Sequence, residues 1–359
     1  MTIVHDLQGY DQSMWLDYIH RRAIKEGRIA FRIENGIRGL TSNPSIFQKA
    51  IADSEDYDSD IAELSRKGLS VKDIYENLAI ADLQQAADLL RPIYDQTGGT
   101  DGYVSLEVNP ELAYKTDETI AEALRLFEHM QRPNALIKIP ATEQGLPAIT
   151  RAISEGVNVN VTLMFSLRQY DQVWDAYVTG LEQRRDTGKP IDGVFSVASF
   201  FVSRVDTAVD KQLQDTDKTH LMGHIAIDNA RLAYALFQDK LSQTRWQLLA
   251  QAGANVQKVL WGSTGTKNPN YPDTLYVDNL IGPDTINTVP PDTLDAFLEN
   301  GSVGRTVDSD LDGARQRRKE LAEAGVDLDQ ITDQLLEDGV KKFADSFEGL
   351  LASIREKMQ

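Results

Sequence analysis

The sequence contains no cysteine among its 359 residues. Disulfides, thiolate metal sites and cysteine nucleophiles are therefore excluded. It also lacks any apolar run approaching the roughly 20 residues that a membrane-spanning helix needs. The first residues, MTIVHDLQGYDQSMW, show no basic start followed by an apolar stretch, so we expect no signal peptide. From these absences we expect a soluble cytoplasmic protein.

Positive charge is scarce, with 37 lysines and arginines against 55 aspartates and glutamates and a formal net charge of −18. A surface this acidic repels nucleic acids and anionic membranes, so we expect neither as a partner. A small anionic ligand remains compatible with the composition if a few cations are concentrated at its site. Any phosphate pocket must therefore be local. A homo-oligomer is also compatible with the sequence.

Histidines are few, and none lies at the end of a predicted strand. They are His5, His20, His129, His220 and His224, and no pair has zinc-site spacing together with a carboxylate. The glycine-rich motifs G-x-G-x-x-G and G-x-x-x-x-G-K-[ST] are also missing. We therefore expect no metal and no nucleotide cofactor.

Short apolar segments alternate with longer helical patterns, which is typical of βαβ units and a parallel sheet. Eight strands are predicted, at residues 13–17, 38–43, 103–108, 135–141, 159–165, 193–199, 258–264 and 285–289. The longer intervals after Asn43 and Ser199 contain additional helical patterns. The prediction is an α/β protein, a single (β/α)8 TIM barrel with additional helices. It forms one domain over residues 1–359, including C-terminal helices at 303–359.

Polar residues occur in phase near the ends of these strands. Side chains alternate along a strand, so Leu136, Lys138 and Pro140 share one face while the apolar β-branched face packs on the helices. This division points Lys138 into the barrel, where active sites lie at the C-terminal mouth. The polar residues marking the eight strand ends are Asp17, Asn43, Glu107, Lys138, Thr162, Ser199, Ser263 and Asn287.

Structural explanations remain open for several of these residues. Glu107 and Lys138 could form a buried ion pair without function, although such pairs are weak stabilisers. Asp17 could cap the helix that follows it. The functional alternative is that a lysine amine removed from water acts as a nucleophile toward a carbonyl, giving an imine that serves as an electron sink. Carboxylates on other strands would then transfer protons.

Two cations follow strand ends and could bind phosphate. Arg204 lies in SFFVSRVD, and Lys267 lies in GSTGTKNP after a polar turn that begins at Ser263. The loops after strands 7 and 8 of such barrels frequently bind phosphate through backbone N–H groups and a basic residue. An ordinary turn with a surface lysine is the alternative for Lys267.

The chain resembles transaldolases of the long bacterial type from about residue 5 to its C-terminus. The segments that carry the resemblance are GLTSNPSIF, VSLEV, LIKIPAT, NVTLMFS, VASFFVSRVD, LWGSTGTKNP and ITDQLLEDGVKKFADSF. Their order and their placement on predicted strands make the resemblance specific. It implies a cytoplasmic, cofactor-free enzyme of the pentose phosphate pathway that acts on sugar phosphates.

The resemblance also implies a role for each candidate residue. Lys138 would form a Schiff base with the ketose phosphate, Asp17 would be the acid and base for carbon–carbon cleavage, and Glu107 would transfer protons with a water held by Thr162. The implied substrate-binding residues are Asn43, Asn160, Ser199 and Phe201, and the implied phosphate ligands are Arg204, Ser263 and Lys267. Two alternatives stay open: an aldolase that cleaves fructose 6-phosphate, and a sugar-phosphate-binding barrel without catalysis.

Overall fold

The computed structural model describes residues 2–358 and contains a closed barrel of eight parallel strands in chain order. The strands are β1 Gln12–Asp17, β2 Leu40–Thr41, β3 Val104–Glu107, β4 Ala135–Pro140, β5 Val159–Met164, β6 Ser196–Phe201, β7 Lys258–Gly262 and β8 Thr285–Val289. β8 pairs in parallel with β1, which closes the barrel. The predicted (β/α)8 TIM barrel is thus confirmed.

Helices follow the strands and form the outer layer. They are α1 Ile3–Asp6, α2 Arg21–Lys25, α3 Arg28–Glu34, α4 Pro44–Ala52, α5 Asp58–Arg66, α6 Val71–Gln96, α7 Thr116–Met130, α8 Gly145–Glu155, α9 Leu167–Asp186, α10 Ser203–Leu213, α11 Ile225–Ser242, α12 Thr244–Gln251, α13 Leu275–Asn279, α14 Pro291–Asn300, α15 Leu311–Glu323 and α16 Leu328–Lys357. Side-chain caps start several of them: Ser70 and Ser166 form capping boxes at α6 and α9. In the described part of the chain, none of the helices has the length and hydrophobicity that a membrane span requires.

The lower part of the barrel is filled with side chains. Its interior cluster consists of Trp15, Tyr103, Leu136, Phe195, Val197, Leu260 and Ile286. Tyr103 and Phe195 stack with ring centroids 4.5 Å apart. Below them, Asp101 accepts hydrogen bonds from Trp15 Nε1 at 2.9 Å and from Arg38 Nε at 2.8 Å. A cavity lined by Asp17, Lys138 and Thr288 opens at the C-terminal ends of the strands.

The C-terminal helix α16 lies across that open end. It packs against α4, where Ser346 Oγ lies 2.7 Å from Ser45 Oγ. A Cβ atom at Gly339 would lie 2.9 Å from the side chain of Leu163, so α16 approaches the end of β5 closely at this position. The helix therefore forms one wall of the space above the strands. One domain over residues 1–359 stays a prediction, and its first and last residues lie outside the described range.

The contact between Gly39 and Trp15 generates a stability prediction. A Cβ atom at Gly39 would overlap the ring of Trp15, which is fully buried. We expect Gly39→Ala to lower the free energy of unfolding by about 1–3 kcal/mol through overpacking. Gly9→Ala is the matched control, because nothing lies near a Cβ there. Urea unfolding followed by circular dichroism measures both, and equal midpoints would contradict the proposed packing constraint.

Candidate active site

An open cavity lies at the C-terminal ends of the strands, between the barrel and helices α4 and α16. All the residues predicted to form the site line it, except Glu107 and Asn160. The predicted lining residues are Asp17, Asn43, Lys138, Thr162, Ser199, Phe201, Arg204, Ser263 and Lys267. They come from six strand ends and the loops that follow them, so the fold assembles residues far apart in the chain.

Lys138 stands at the base of this cavity with its side chain only 6% exposed. Its Nζ donates a hydrogen bond to the carbonyl oxygen of Ser42 at 3.0 Å. The same atom lies 3.3 Å from Glu107 Oε2 and 5.9 Å from the centroid of the Phe343 ring. The sheet register pairs Glu107 directly with Lys138 across β3 and β4. The buried ion pair that the sequence left open does form.

Glu107 and Asn160 flank Lys138 from the neighbouring strands. Asn160 is the register partner of Lys138 on β5. Its Nδ2 donates to Ser105 Oγ at 3.1 Å, and its Oδ1 accepts from Ser199 Oγ at 2.7 Å. Asn160 is fully buried and reaches the cavity through Ser199, whose own side chain lines it. Together these contacts form a polar floor around the amine.

Two carboxyl groups beside the amine are shifted toward their protonated forms. Burial raises the pKa of Asp17 and of Glu107, and the nearby positive charge of Lys138 counteracts this only in part. Asp17 Oδ1 accepts a hydrogen bond from Thr41 Oγ1 at 2.7 Å. Helix α2 is capped by His20, so Asp17 does not cap it. Both carboxyls are thus suited to transfer protons.

The end of β5 is irregular at Thr162. The register shifts between Val161 and Met164, and Leu163 adopts a left-handed backbone with φ of 59°. Such a conformation is unfavourable for a bulky residue and often marks functional sites. Within residues 2–358, the buried atoms Thr162 Oγ1 and Glu107 Oε2 accept no hydrogen bond, although the Lys138 amine lies 3.3 Å from Glu107 Oε2. Both atoms can therefore bind a small polar group.

Cations line the outer part of the cavity. Arg204 and Lys267 are joined there by Lys49 and Lys342, which the sequence analysis missed. None of the four forms an ion pair with a carboxylate in the described part of the chain, although the protein carries a large excess of acidic residues. Burial, and then the charges of Arg204, Lys267 and Lys49, lower the pKa of Lys342. The four cations thus share one local field that favours an anion.

Backbone geometry positions the remaining predicted residues. Asn43 caps α4, with its Oδ1 accepting from Ile46 N–H at 3.0 Å, which leaves its amide nitrogen free to donate. Ser263 has a left-handed backbone with φ of 53°, and its carbonyl accepts from Ser203 N–H at 2.9 Å. The guanidinium of Arg204 lies 5.1 Å from the centroid of the Phe201 ring.

The polar marker of the eighth predicted strand makes a hydrogen bond within the protein. Asn287 does not line the cavity; its Oδ1 accepts from Thr264 Oγ1 at 2.8 Å. Thr288 lines the cavity instead, with Oγ1 2.6 Å from Thr41 Oγ1. Ile286 belongs to the barrel interior, so alternation along the strand places Thr288, and not Asn287, on the inner face. This alternation could have identified Thr288 from the sequence.

Histidines take no part in the cavity lining. His20 caps a helix, and His220 Nε2 lies 3.0 Å from Glu320 Oε2. Among the residues that the structure describes, no group of three or more His, Asp or Glu side chains is arranged to hold a metal ion.

Comparison with known proteins identifies the family. The family model "Transaldolase/Fructose-6-phosphate aldolase" matches residues 14–354. A protein named "Transaldolase" from Parafrankia sp. is 48% identical over 358 residues, covering 98% of this chain and 97% of that protein. A "Transaldolase" from Thermobifida fusca is 46% identical over 351 residues, covering 96% and 95%. "Transaldolase 2" from Nostoc punctiforme is 43% identical over 369 residues, covering 99% and 97%. On this similarity along almost its whole length, the chain belongs to the transaldolase/fructose-6-phosphate aldolase family.

Proposed function

We propose that this protein is a transaldolase. It transfers a dihydroxyacetone unit from sedoheptulose 7-phosphate to glyceraldehyde 3-phosphate, giving erythrose 4-phosphate and fructose 6-phosphate in the pentose phosphate pathway. The observation that carries the proposal is a buried Lys138 amine beside the carboxyl of Glu107, in the cavity that Asp17 also lines. The names of the relatives agree with it.

Lys138 acts as the nucleophile. Its neutral amine attacks the C2 carbonyl of the ketose phosphate, and the resulting carbinolamine loses water to give a protonated imine. The positive nitrogen then accepts the electron pair of the breaking carbon–carbon bond. Both steps require that the amine be held away from bulk water, as the 6% exposure of the side chain provides.

Asp17 moves the proton of the cleaved alcohol. It takes the proton of the C4 hydroxyl as the C3–C4 bond breaks, the aldose phosphate leaves, and an enamine remains on Lys138. Asp17 then returns the proton to the oxygen of the acceptor aldehyde. A carboxyl whose pKa is raised by burial is a stronger base than usual and suits both directions of transfer.

Glu107 and Thr162 control the water of imine formation and hydrolysis. Within residues 2–358, Glu107 Oε2 and Thr162 Oγ1 are both buried and lack hydrogen-bond partners, which supports a water molecule bound by both groups. Glu107 would protonate the departing hydroxyl of the carbinolamine and later deprotonate the attacking water. Restricting water in this way lets the enamine persist until an aldehyde arrives.

The substrate is held by hydroxyl and phosphate ligands. Asn43 and Ser199 bind hydroxyls of the dihydroxyacetone unit, with Asn160 supporting Ser199 through their 2.7 Å hydrogen bond. Phe201 lines the pocket. Arg204, Ser263 and Lys267 bind the phosphate, which agrees with the presence at this side of the cavity of cations that form no ion pair among residues 2–358. The proposed chemistry requires no cofactor.

A fructose-6-phosphate aldolase is the nearest alternative, because the family model includes both activities. The carboxyl of Glu107 beside the amine favours the transferase, since the related aldolases use a tyrosine for proton transfer. A barrel that binds sugar phosphates without catalysis would have no use for a buried lysine beside raised-pKa carboxyls. Cytoplasmic location and oligomeric state stay predictions of the sequence.

Borohydride trapping tests the lysine chemistry. With fructose 6-phosphate and borohydride, we expect a dihydroxyacetone-derived adduct on the peptide that contains Lys138, seen by mass spectrometry of the digested protein. Lys138→Ala should give no adduct and no turnover. Lys341→Ala, which removes an exposed lysine of α16 outside the cavity lining, is the control and should trap normally.

An acceptor assay on the same preparation separates the two activities. A transaldolase consumes fructose 6-phosphate rapidly only when erythrose 4-phosphate is present and produces sedoheptulose 7-phosphate. Release of free dihydroxyacetone at an equal rate without acceptor would assign the protein to the aldolases. If no lysine of the folded protein gave an adduct, the remaining hypothesis would be a barrel that binds sugar phosphates without catalysis.

Asp17→Asn tests the cleavage step by itself. The amide keeps the shape of the carboxyl but cannot take a proton, so we expect kcat to fall by about 10²–10⁴-fold. Imine formation does not need Asp17, so borohydride trapping with fructose 6-phosphate should persist and yield an adduct of the uncleaved sugar. A variant that retains normal turnover would remove Asp17 from the mechanism.

The same variant has a predicted pH-dependent stability. Burial raises the pKa of Asp17, so its ionisation costs stability as pH rises from its ordinary value of 3.8 through the raised value. An amide at this position carries no such cost, so the melting temperature of Asp17→Asn relative to wild type should be higher at pH 8 than at pH 4.5. Asp215→Asn, at an exposed carboxyl, is the control. A pH-independent difference would contradict the assigned environment.

A further inference from the structure

A second pair of buried carboxyls lies outside the cavity, on helix α10. Asp206 and Asp210 are one helical turn apart and are 1% and 6% exposed. The same helix carries Arg204 in its first turn. Neither carboxyl forms an ion pair among residues 2–358, and the proposed chemistry does not use either.

Each carboxyl joins three segments of the chain. Asp206 accepts from Tyr276 Oη at 3.0 Å through one oxygen and from Ala226 N–H at 2.7 Å through the other. Asp210 likewise accepts from Tyr271 Oη at 2.7 Å. Both tyrosines belong to the connection between β7 and β8, with Tyr276 in its short helix α13, and the loop at the start of this connection carries Ser263 and Lys267. The carboxyls thus tie that loop to α10.

The ring of Tyr271 packs closely against the backbone at Gly223. Asp210 also accepts from Gly223 N–H at 3.1 Å. A Cβ at Gly223 would lie 2.9 Å from the Tyr271 ring, and its backbone φ of +75° favours glycine. The hydroxyl of Tyr271 is therefore directed at Asp210 by the packing of its ring, so the contact has a defined geometry.

A short path leads from these tyrosines to the cation of the loop. Pro272, the neighbour of Tyr271, accepts a hydrogen bond from Thr266 Oγ1 at 2.9 Å. Thr266 also donates to the carbonyl of Asp273, at 3.2 Å, and immediately precedes Lys267. Anchoring Tyr271 to α10 thereby restrains the backbone that carries Lys267 relative to the helix that carries Arg204.

Stability alone gives a poor account of these carboxyls. Burial raises the pKa of Asp206 to about 7, and the neighbouring Asp210 and Asp228 add to the effect of burial. Holding such a group in its ionised form near neutral pH costs folding free energy. Uncharged residues could fill this space at a lower cost, so the arrangement is better explained by the geometry that it imposes on the site.

We propose that the contacts Asp206–Tyr276 and Asp210–Tyr271 are positioning pairs that hold Lys267 at the correct spacing from Arg204 for a phosphate group. This inference rests on the phosphate site of the proposed function. The two contacts would determine the affinity of that site for phosphate. The four residues act through Arg204 and Lys267 and do not touch the substrate themselves.

The double variant Tyr271→Phe/Tyr276→Phe tests the proposal, because it removes both hydroxyls and keeps both rings. We expect KM for fructose 6-phosphate to rise about tenfold. The dissociation constant of inorganic phosphate, measured by calorimetry, should rise by a similar factor. The value of kcat should change less than about twofold, since the phosphate contacts are the same in ground and transition states. Tyr271→Phe alone, at a half-buried ring, should show part of the effect and guards against misfolding of the double variant.

Tyr177→Phe is the matched control. Its hydroxyl donates to the carbonyl of Asn255 at 2.7 Å, in the helical layer and outside the cavity lining, so it loses a comparable hydrogen bond. We expect this control to lower the melting temperature without changing either phosphate affinity. The positioning role is overturned if the double variant binds phosphate as tightly as wild type, or if the control weakens phosphate binding equally.

Trapping of dihydroxyacetone, which carries no phosphate, on Lys138 separates this inference from the proposed function. Undiminished trapping in the double variant, with weakened phosphate binding, is the expected result. If wild type traps no dihydroxyacetone, the lysine chemistry fails, while the calorimetric comparison of phosphate binding still decides the positioning role. Normal trapping with unchanged phosphate binding overturns the positioning role alone.

Discussion

The contact between Lys138 and Glu107 inside the barrel is the interaction on which the rest of the site depends. The two residues are register partners on adjacent strands, 3.3 Å apart and almost fully buried. Desolvation offsets most of the Coulomb attraction in such a pair, so the contact contributes little to stability. In the proposed mechanism its effect is chemical, because it holds the Lys138 amine and the Glu107 carboxyl side by side away from bulk water. The raised pKa of Asp17 arises from the same burial.

Strand phase explains how much of this site could be predicted from the sequence. Leu136 packs in the barrel interior and Lys138, two residues later, lines the cavity, as alternation along a strand requires. The same rule placed Asp17 and Thr162 correctly. It also selects Thr288, which lines the cavity two residues after the interior residue Ile286. Strand phase thus accounts for the placement of Asp17, Lys138 and Thr162 at the cavity, while their roles stay predictions.

Contacts between distant segments could not be predicted in this way. Lys342 and Phe343 enter the cavity because α16 returns across the barrel and packs on α4, and nothing in the local pattern of either helix specifies that crossing. The left-handed backbone of Leu163 is equally hidden, since no glycine marks it. The hydrogen bonds from Tyr271 and Tyr276 to carboxyls on α10 likewise emerge only from the tertiary structure.

Screening by salt determines which molecules are affected by the acidic surface of the protein. At physiological ionic strength, interactions between exposed charges are screened beyond about 8 Å, so the acidic surface acts mainly on molecules that contact much of it. A polyanion would meet that surface at many points and be repelled. A sugar phosphate meets only the cavity, where Arg204, Lys267, Lys49 and Lys342 have no carboxylate partners among residues 2–358. The net charge of −18 is therefore compatible with a small anionic ligand, because four cations line the cavity.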